Sequence, residues 1–155
     1  MFMSTAIWGI KQKYPSVRNV STDQLHTWLT EDSSKVKLLD CREVPEYSVS
    51  KIAGAERVDY QKAATELAPL LETVSSGTNL VCYCSLGYRS SEVAAKLGKE
   101  AKKKGVQVYN LEGSLFKWAN EDKPMVDSSG NPTKFAHPYS QVWGKFLRSD
   151  LWKES

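Results

Sequence analysis

The chain has no apolar run near the ~20 residues that a bilayer-spanning helix requires, and it has no internal repeat or low-complexity tract. Its charge is not strongly of one sign: 21 Lys and Arg against 18 Asp and Glu leave a net +3. The lysines are scattered or, as with Lys99, Lys102, Lys103 and Lys104, crowd one helix end where cations complement the dipole, so no nucleic-acid partner is expected. There are only two histidines, and no cluster of His, Cys and carboxylates has metal-ligand spacing. No metal and no cofactor are therefore expected. Three cysteines, an odd number, make no disulfide framework. The first ten residues lack a basic stretch ahead of a weakly apolar segment and contain no arginine, so neither a secretory signal nor a mitochondrial presequence is expected. A reducing compartment, the cytoplasm, fits this cysteine usage best, and no membrane association is expected.

What remains is a chain of 155 residues with ordinary globular composition, 41% hydrophobic and 25% charged, the size of one domain. Strands and helices alternate along it. Residues 4–13 read as a short helix ended by Tyr14-Pro15, and Arg18-Asn19-Val20 as a strand. Ser21 and Gln24 have capping-box spacing ahead of a helix to about Glu31 with Leu25, Trp28 and Leu29 on its apolar face. Val36 to Cys41 is a strand with the continuous apolar character of a sheet covered on both faces. A short helix follows up to Ser50, then a strand over 55–59 and a helix over 61–74 interrupted near Pro69. A strand over 79–84, a helix over 90–104, a strand over 106–110 and a helix carrying Leu115, Phe116 and Trp118 complete the alternation. The class is α/β with a parallel sheet and right-handed crossovers. From Lys123 the pattern stops, apart from a final short helix expected over 140–147, whose Trp143 and Phe146, with Trp152, should pack on the domain or a partner.

The chemistry concentrates in one stretch, Asn79 to Ser91. Strand residues lead into Cys84, then a tight loop with Gly87 and Arg89, then a helix read as starting at a serine cap, Ser90. Ligands of α/β sheets bind beyond the carboxyl ends of strands. A cysteine there meets helix N-terminal amides without intrahelical partners, a place suited to a negative sulfur. An ordinary thiol with pKa about 8.5 is mostly protonated at neutral pH. Lowering it by about two units requires roughly 2.7 kcal/mol. A helix dipole supplies about 0.3–1 kcal/mol, so loop amides and the Arg89 charge must supply the rest. Gly87 lets the backbone approach the sulfur. Cys82 and Cys41 read as core residues, His26 as solvated, and His137 as a surface-loop residue, with a cover over the cleft or help to an acceptor as its alternative.

Two reactions suit this geometry: attack on phosphorus, with the loop holding phosphate oxygens, and attack on a sulfane sulfur, with the loop holding a persulfide. Four residues lie between Cys84 and Arg89. The segment Cys84-Ser85-Leu86-Gly87-Tyr88-Arg89-Ser90 resembles the active-site loop of single-domain rhodaneses, whereas related phosphatases place five residues between cysteine and arginine. Leu38 to Glu43, Ile52-Ala53-Gly54-Ala55 and Tyr109 to Ser114 with Trp118 are similar to three further motifs of that family. The resemblance runs over 18–124, leaving 1–17 and 125–155 as extensions, the latter expected to pack on the domain.

The resemblance implies a five-stranded parallel sheet of order 1-5-4-2-3 with helices on both faces. It implies a thiosulfate or persulfide sulfurtransferase in which Cys84 and Arg89 are catalytic and Ser85, Leu86, Gly87, Tyr88 and Ser90 bind substrate. Asp40 and Arg42 are implied to form a structural ion pair below the loop. Arg89 is expected to hold the departing group. Ser114 stands where the family has a second glycine, which is expected to alter how that helix approaches the loop. The loop matches neither the doubly basic thiosulfate type nor the small-residue mercaptopyruvate type, so a persulfide donor is favoured. Expected partners are a small-molecule sulfur donor and a thiol or cyanide acceptor, with a protein acceptor open, and the protein is expected to be a monomer. A non-catalytic binding module and a cysteine phosphatase are the alternatives.

Overall fold

The structure is a computed structural model that describes residues 2–155, with side chains given for all of these except residues 2 and 63–66. Among the described residues no helix is long and apolar enough to cross a membrane. The elements are α1 (Phe2–Lys13), β1 (Arg18–Val20), α2 (Thr22–Asp32), β2 (Val36–Asp40), α3 (Val44–Val49), β3 (Glu56–Arg57), α4 (Ala63–Glu72), β4 (Asn79–Tyr83), α5 (Tyr88–Lys103), β5 (Gln107–Leu111), α6 (Ser114–Asn120), β6 (Met125–Val126) and β7 (Pro132–Thr133). The five strands β1 to β5 form one sheet in the order β1-β5-β4-β2-β3, every pairing parallel. This is the rhodanese-like arrangement.

The continuous apolar run of β4 has the reason a parallel sheet requires: both faces are covered. Leu80, Val81, Cys82 and Tyr83 are all fully buried. Val81 and Tyr83 point into a core with Leu115, Phe116 and Trp118, while Leu80, Cys82 and Cys84 join Leu67, Val93 and Leu97 on the other side. From β2 the chain crosses to the edge strand β3, and from β4 it crosses the other way to β5. The connections therefore diverge between β2 and β4, and a crevice opens at their carboxyl ends. Cys84 stands there, one residue past β4.

Several local expectations are revised. The 61–74 helix is not interrupted at Pro69: α4 runs through it. The missing N–H forfeits one helical bond, but buried Leu67 and Leu71 on either side hold the segment to the core. The strand over 55–59 is reduced to Glu56–Arg57. The expected final helix is replaced by two short 3₁₀ turns, Trp143–Phe146 and Ser149–Leu151, and Met125–Val126 pairs with Pro132–Thr133 as a small antiparallel ribbon. Ala136, Leu147 and Leu151 are buried in the same cluster as Leu115 and Trp118. His26 is half-buried rather than solvated, its ring edge-on to Trp118 at 5.7 Å.

Candidate active site

The loop after β4 is fixed from below by the start of α6. The amides of Leu115 and Phe116 donate to the carbonyls of Cys84 and Ser85, both at 3.0 Å. The Cys84 amide donates in turn to the Ser114 hydroxyl at 3.2 Å, which donates to the Leu111 carbonyl at 3.0 Å. Ser114 adopts φ +48 to make this possible. The serine in place of the family's second glycine is thus a strut holding the nucleophile's own backbone.

The loop's acceptors are turned to α6, and a donor faces the sulfur. The Gly87 amide lies 3.1 Å from Cys84 Sγ. Gly87 has φ +123, and a Cβ there would come within 3.3 Å of Asn110 Nδ2, so glycine is required by conformation and by space. Gly87, not Ser90, caps α5. Ser90 lies inside the first turn, where its hydroxyl is 3.4 Å from Cys84 Sγ and 2.6 Å from Asn110 Oδ1. Asn110 is held by a 2.8 Å bond from its Nδ2 to Asn19 Oδ1, a pairing set by the β1–β5 register that places Asn19 opposite Asn110. The single Ser90 proton serves two acceptors, and a negative sulfur draws it.

Arg89 approaches from α5 and meets Glu46 of α3 across the crevice. Its Nη1 donates to Glu46 Oε2 at 2.9 Å and its Nη2 to Oε1 at 2.8 Å. The Ser85 hydroxyl bridges the two, 2.7 Å from Glu46 and 3.0 Å from Arg89. Glu46 is 2% exposed, and its carboxylate is also held by the Glu43 amide through a capping box. Three of the five N–H donors of Arg89 are therefore turned to Glu46 and Ser85. What Arg89 offers Cys84 is charge.

Burial alone would push the Cys84 thiol up. The Arg89 charge, the Ser90 hydroxyl and the backbone amides of Ser90 and Gly87 outweigh it and hold the thiol below its ordinary value. Burial likewise opposes ionisation of Glu46, but the Arg89 bonds and charge dominate and keep it a carboxylate. Cys41 is the contrast: buried and beside Cys82, its thiol is pushed well above its ordinary range. Their surroundings thus move the Cys41 and Cys84 thiols in opposite directions.

Asp40 and Arg42 form a fully buried ion pair with two bonds, 2.9 and 2.7 Å. Arg42 also donates to the Ser50 carbonyl at 2.6 Å. This pair ties the β2–α3 turn to the end of α3. It sets where Glu46 stands and makes no hydrogen bond to the 84–89 loop in which Arg89 lies.

Above the sulfur lies a cavity of about 140 Å³ lined by Tyr60, Leu86, Tyr88, Tyr139 and Trp143 besides the loop residues. Tyr139 lies over the Arg89 guanidinium, 4.5 Å to its ring centre. Its backbone is left-handed, φ +68, and its amide donates to His137 Nδ1 at 2.9 Å. His137 thus shapes the cover of the cleft through its neighbour. Cys84 is only 1% exposed under these rings. A larger cavity of about 550 Å³ between His26, Ile52 and Trp118 is lined by no cysteine.

A family model described as the rhodanese-like domain matches residues 21–121. The chain belongs to the rhodanese-like family. No curated protein sequence matches it. Among solved structures it resembles a rhodanese-related protein from Thermoplasma volcanium (20% identity, 70% of this chain and 97% of that one, TM-score 0.56). It also resembles a protein from Bacillus halodurans (16%, 83% and 90%, TM-score 0.62). A third is a yeast protein tyrosine phosphatase of the rhodanese family (16%, 66% and 83%, TM-score 0.53). At such identities the likeness concerns the fold. Tyr139 and Trp143 lie outside the span matched by the rhodanese-like model, and Glu46, Asn110 and Ser114 lie inside it. Sequence reasoning had assigned Glu46 and Asn110 no part in the site. A glutamate at the third position of the helix that follows Asp40-Cys41-Arg42, in capping-box spacing with Glu43, was the available signal for Glu46.

Proposed function

We propose that this rhodanese-like protein is a sulfurtransferase that carries sulfane sulfur as a persulfide on Cys84. The observation that carries the reading is the setting of Cys84 Sγ: a lowered thiol in a six-residue loop, bonded by the Gly87 amide and the Ser90 hydroxyl. In the first half-reaction the Cys84 thiolate attacks the outer sulfur of a donor R–S–SH. The Cys84 S–S bond forms, the donor S–S bond breaks, and R–S⁻ leaves. In the second, an acceptor thiolate attacks the outer sulfur, the acceptor becomes the persulfide, and Cys84 returns as thiolate. With cyanide as acceptor the product is thiocyanate.

Arg89 and Glu46 decide which donor suits the site. The guanidinium cancels one negative charge, and that charge is already Glu46's. A dianion such as thiosulfate or a phosphate monoester would enter beside a carboxylate and a thiolate, with the Arg89 guanidinium already bonded to Glu46. A persulfide, which brings at most one charge, meets less repulsion. The same charge balance argues against phosphatase chemistry, which needs its arginine free to hold phosphate oxygens. A non-catalytic role would leave the depressed thiol without a use.

The test is thiocyanate formation from thiosulfate, mercaptopyruvate and glutathione persulfide, alongside hydrolysis of p-nitrophenyl phosphate, with Cys84→Ser as control. Turnover with the persulfide exceeding that with thiosulfate, and none in Cys84→Ser, is the expected pattern. Thiocyanate from Cys84→Ser refutes the assignment, and Cys84-dependent phosphate release without sulfur transfer moves it to phosphatase.

A further inference from the structure

Beside the Cys84 cavity lies a second hollow of about 330 Å³, within the range of small-molecule pockets. The two share three walls: Leu86, Tyr88 and Trp143. The rest of the groove comes from the two extensions, including Gly9 and Ile10 of α1 and Phe146 of the last turns. None of its lining side chains is charged. Val142 at its edge is 67% exposed, an apolar surface open to solvent. The Lys13 ammonium lies 4.6 Å from the centre of the shared Tyr88 ring, so a cation stands at the rim.

These dimensions constrain the substrate. The space over Cys84 is about 140 Å³, room for the reacting sulfurs and one small group. A substituent on that sulfur that extends past Leu86, Tyr88 and Trp143 enters the groove. On the far side of those residues it meets apolar walls and, at the rim, a positive charge. A peptidic thiol would have to strip water from its amides and carboxylates there without partners. An aryl or alkyl group would be buried favourably, and the Lys13 charge complements the thiolate released from it.

Resting on the sulfurtransferase reading, we propose that this groove seats the apolar body of the substrate, so that the thiol exchanging sulfur with Cys84 is a small aryl- or alkyl-substituted one. The balance of the steps is that given above, with R an apolar group.

Gly9 permits a test that removes no wall of the active site. Its φ is not in the positive range, and a Cβ there meets nothing within 4 Å, so Gly9→Leu fills the groove without backbone strain. From Cys84 persulfide, transfer to benzyl thiol should exceed transfer to 2-mercaptoethanol by about tenfold or more in kcat/KM, the worth of burying part of a phenyl ring. Gly9→Leu should erase most of that ratio while leaving transfer to 2-mercaptoethanol unchanged. Equal acceptors in the parent protein, or a ratio unmoved by Gly9→Leu, overturn the proposal.

A second arm is independent of catalysis: benzyl methyl sulfide, which cannot accept sulfur, titrated into Cys84→Ser with amide shifts followed by NMR. Shifts at Gly9, Ile10 and Phe146 that vanish in Gly9→Leu support the groove even if no donor ever loads Cys84, a result that would sink the sulfurtransferase reading alone. No saturable shifts, or a dimer in solution that covers the groove with a second copy, overturn it.

Discussion

Beneath Cys84 the surroundings are polar, buried and drawn from the sheet and its helices: Gly87, Ser90, Asn110, Asn19, Ser114 and the first amides of α6. Above it they are aromatic, partly exposed and half drawn from outside the span matched by the rhodanese-like model: Tyr60 and Tyr88 from within, Tyr139 and Trp143 from the tail. The Arg89 charge and the hydrogen bonds of the lower side together decide the charge of the sulfur, because both favour the ionised form of a buried thiol. The upper side decides what can reach it. Glu46 and Arg89 stand at the boundary, holding the loop and balancing its charge.

If the two sides are separable in this way, substitutions below should move ionisation and stability, and those above should move substrate preference. The largest effect is expected at the boundary. Glu46→Gln leaves Arg89 charged and nearly buried without its partner, which should cost about 3 kcal/mol or more in urea unfolding. The freed guanidinium should raise thiosulfate use relative to persulfide, and a variant that folds well with an unchanged donor ratio would break the charge argument. Gly87→Ala comes next: a non-glycine residue forced to φ +123 against Asn110 should lose about 1–3 kcal/mol, and Cys84 alkylation should slow with it.

Arg89→Gln strips the buried Glu46 carboxylate of its partner, so it too should lower the urea midpoint, and in the folded protein it should raise the inflection of Cys84 alkylation with pH by about one unit, equivalent to about 1.4 kcal/mol. The parent inflection should fall below the ordinary thiol value of about 8.5, since the Cys84 thiol is held down. Acid stability tests Glu46 with a definite sign. Its carboxyl is lowered in the folded protein, so its contribution is complete above the ordinary value of about 4.3 and is lost as pH falls through the lower, folded one. Urea midpoints should hold down to about 4.3 and fall between there and the lower, folded value, with the step absent in Glu46→Gln. The smallest effect is Tyr139→Gly, which relieves a left-handed residue and opens the cleft. Stability and the alkylation inflection should change little, while KM for the acceptor changes.

The same division explains what could be read without coordinates. The alternation of apolar strands with capped helices, and the run from Cys84 to Arg89, are local in sequence, and both the fold and the cysteine loop follow from them. Ser90 was misjudged because serine suits a helix cap, whereas Gly87 takes that place and frees the hydroxyl for sulfur. Glu46 lies 43 positions from Arg89, and Asn19 91 from Asn110. Such pairs exist only once β1, β2, β4 and β5 are in register. Tyr139 and Trp143 belong to a tail with no periodicity, so nothing in their own neighbourhood marked them as walls of the cleft.

The central claim is that Cys84 carries the transferred sulfur. Intact-protein and peptide mass spectrometry after treatment with glutathione persulfide should show one added sulfur atom, on Cys84 and not on Cys41 or Cys82, lost again when cyanide is added and thiocyanate appears. An unmodified Cys84, or sulfur that stays on it in the presence of cyanide, would contradict the account.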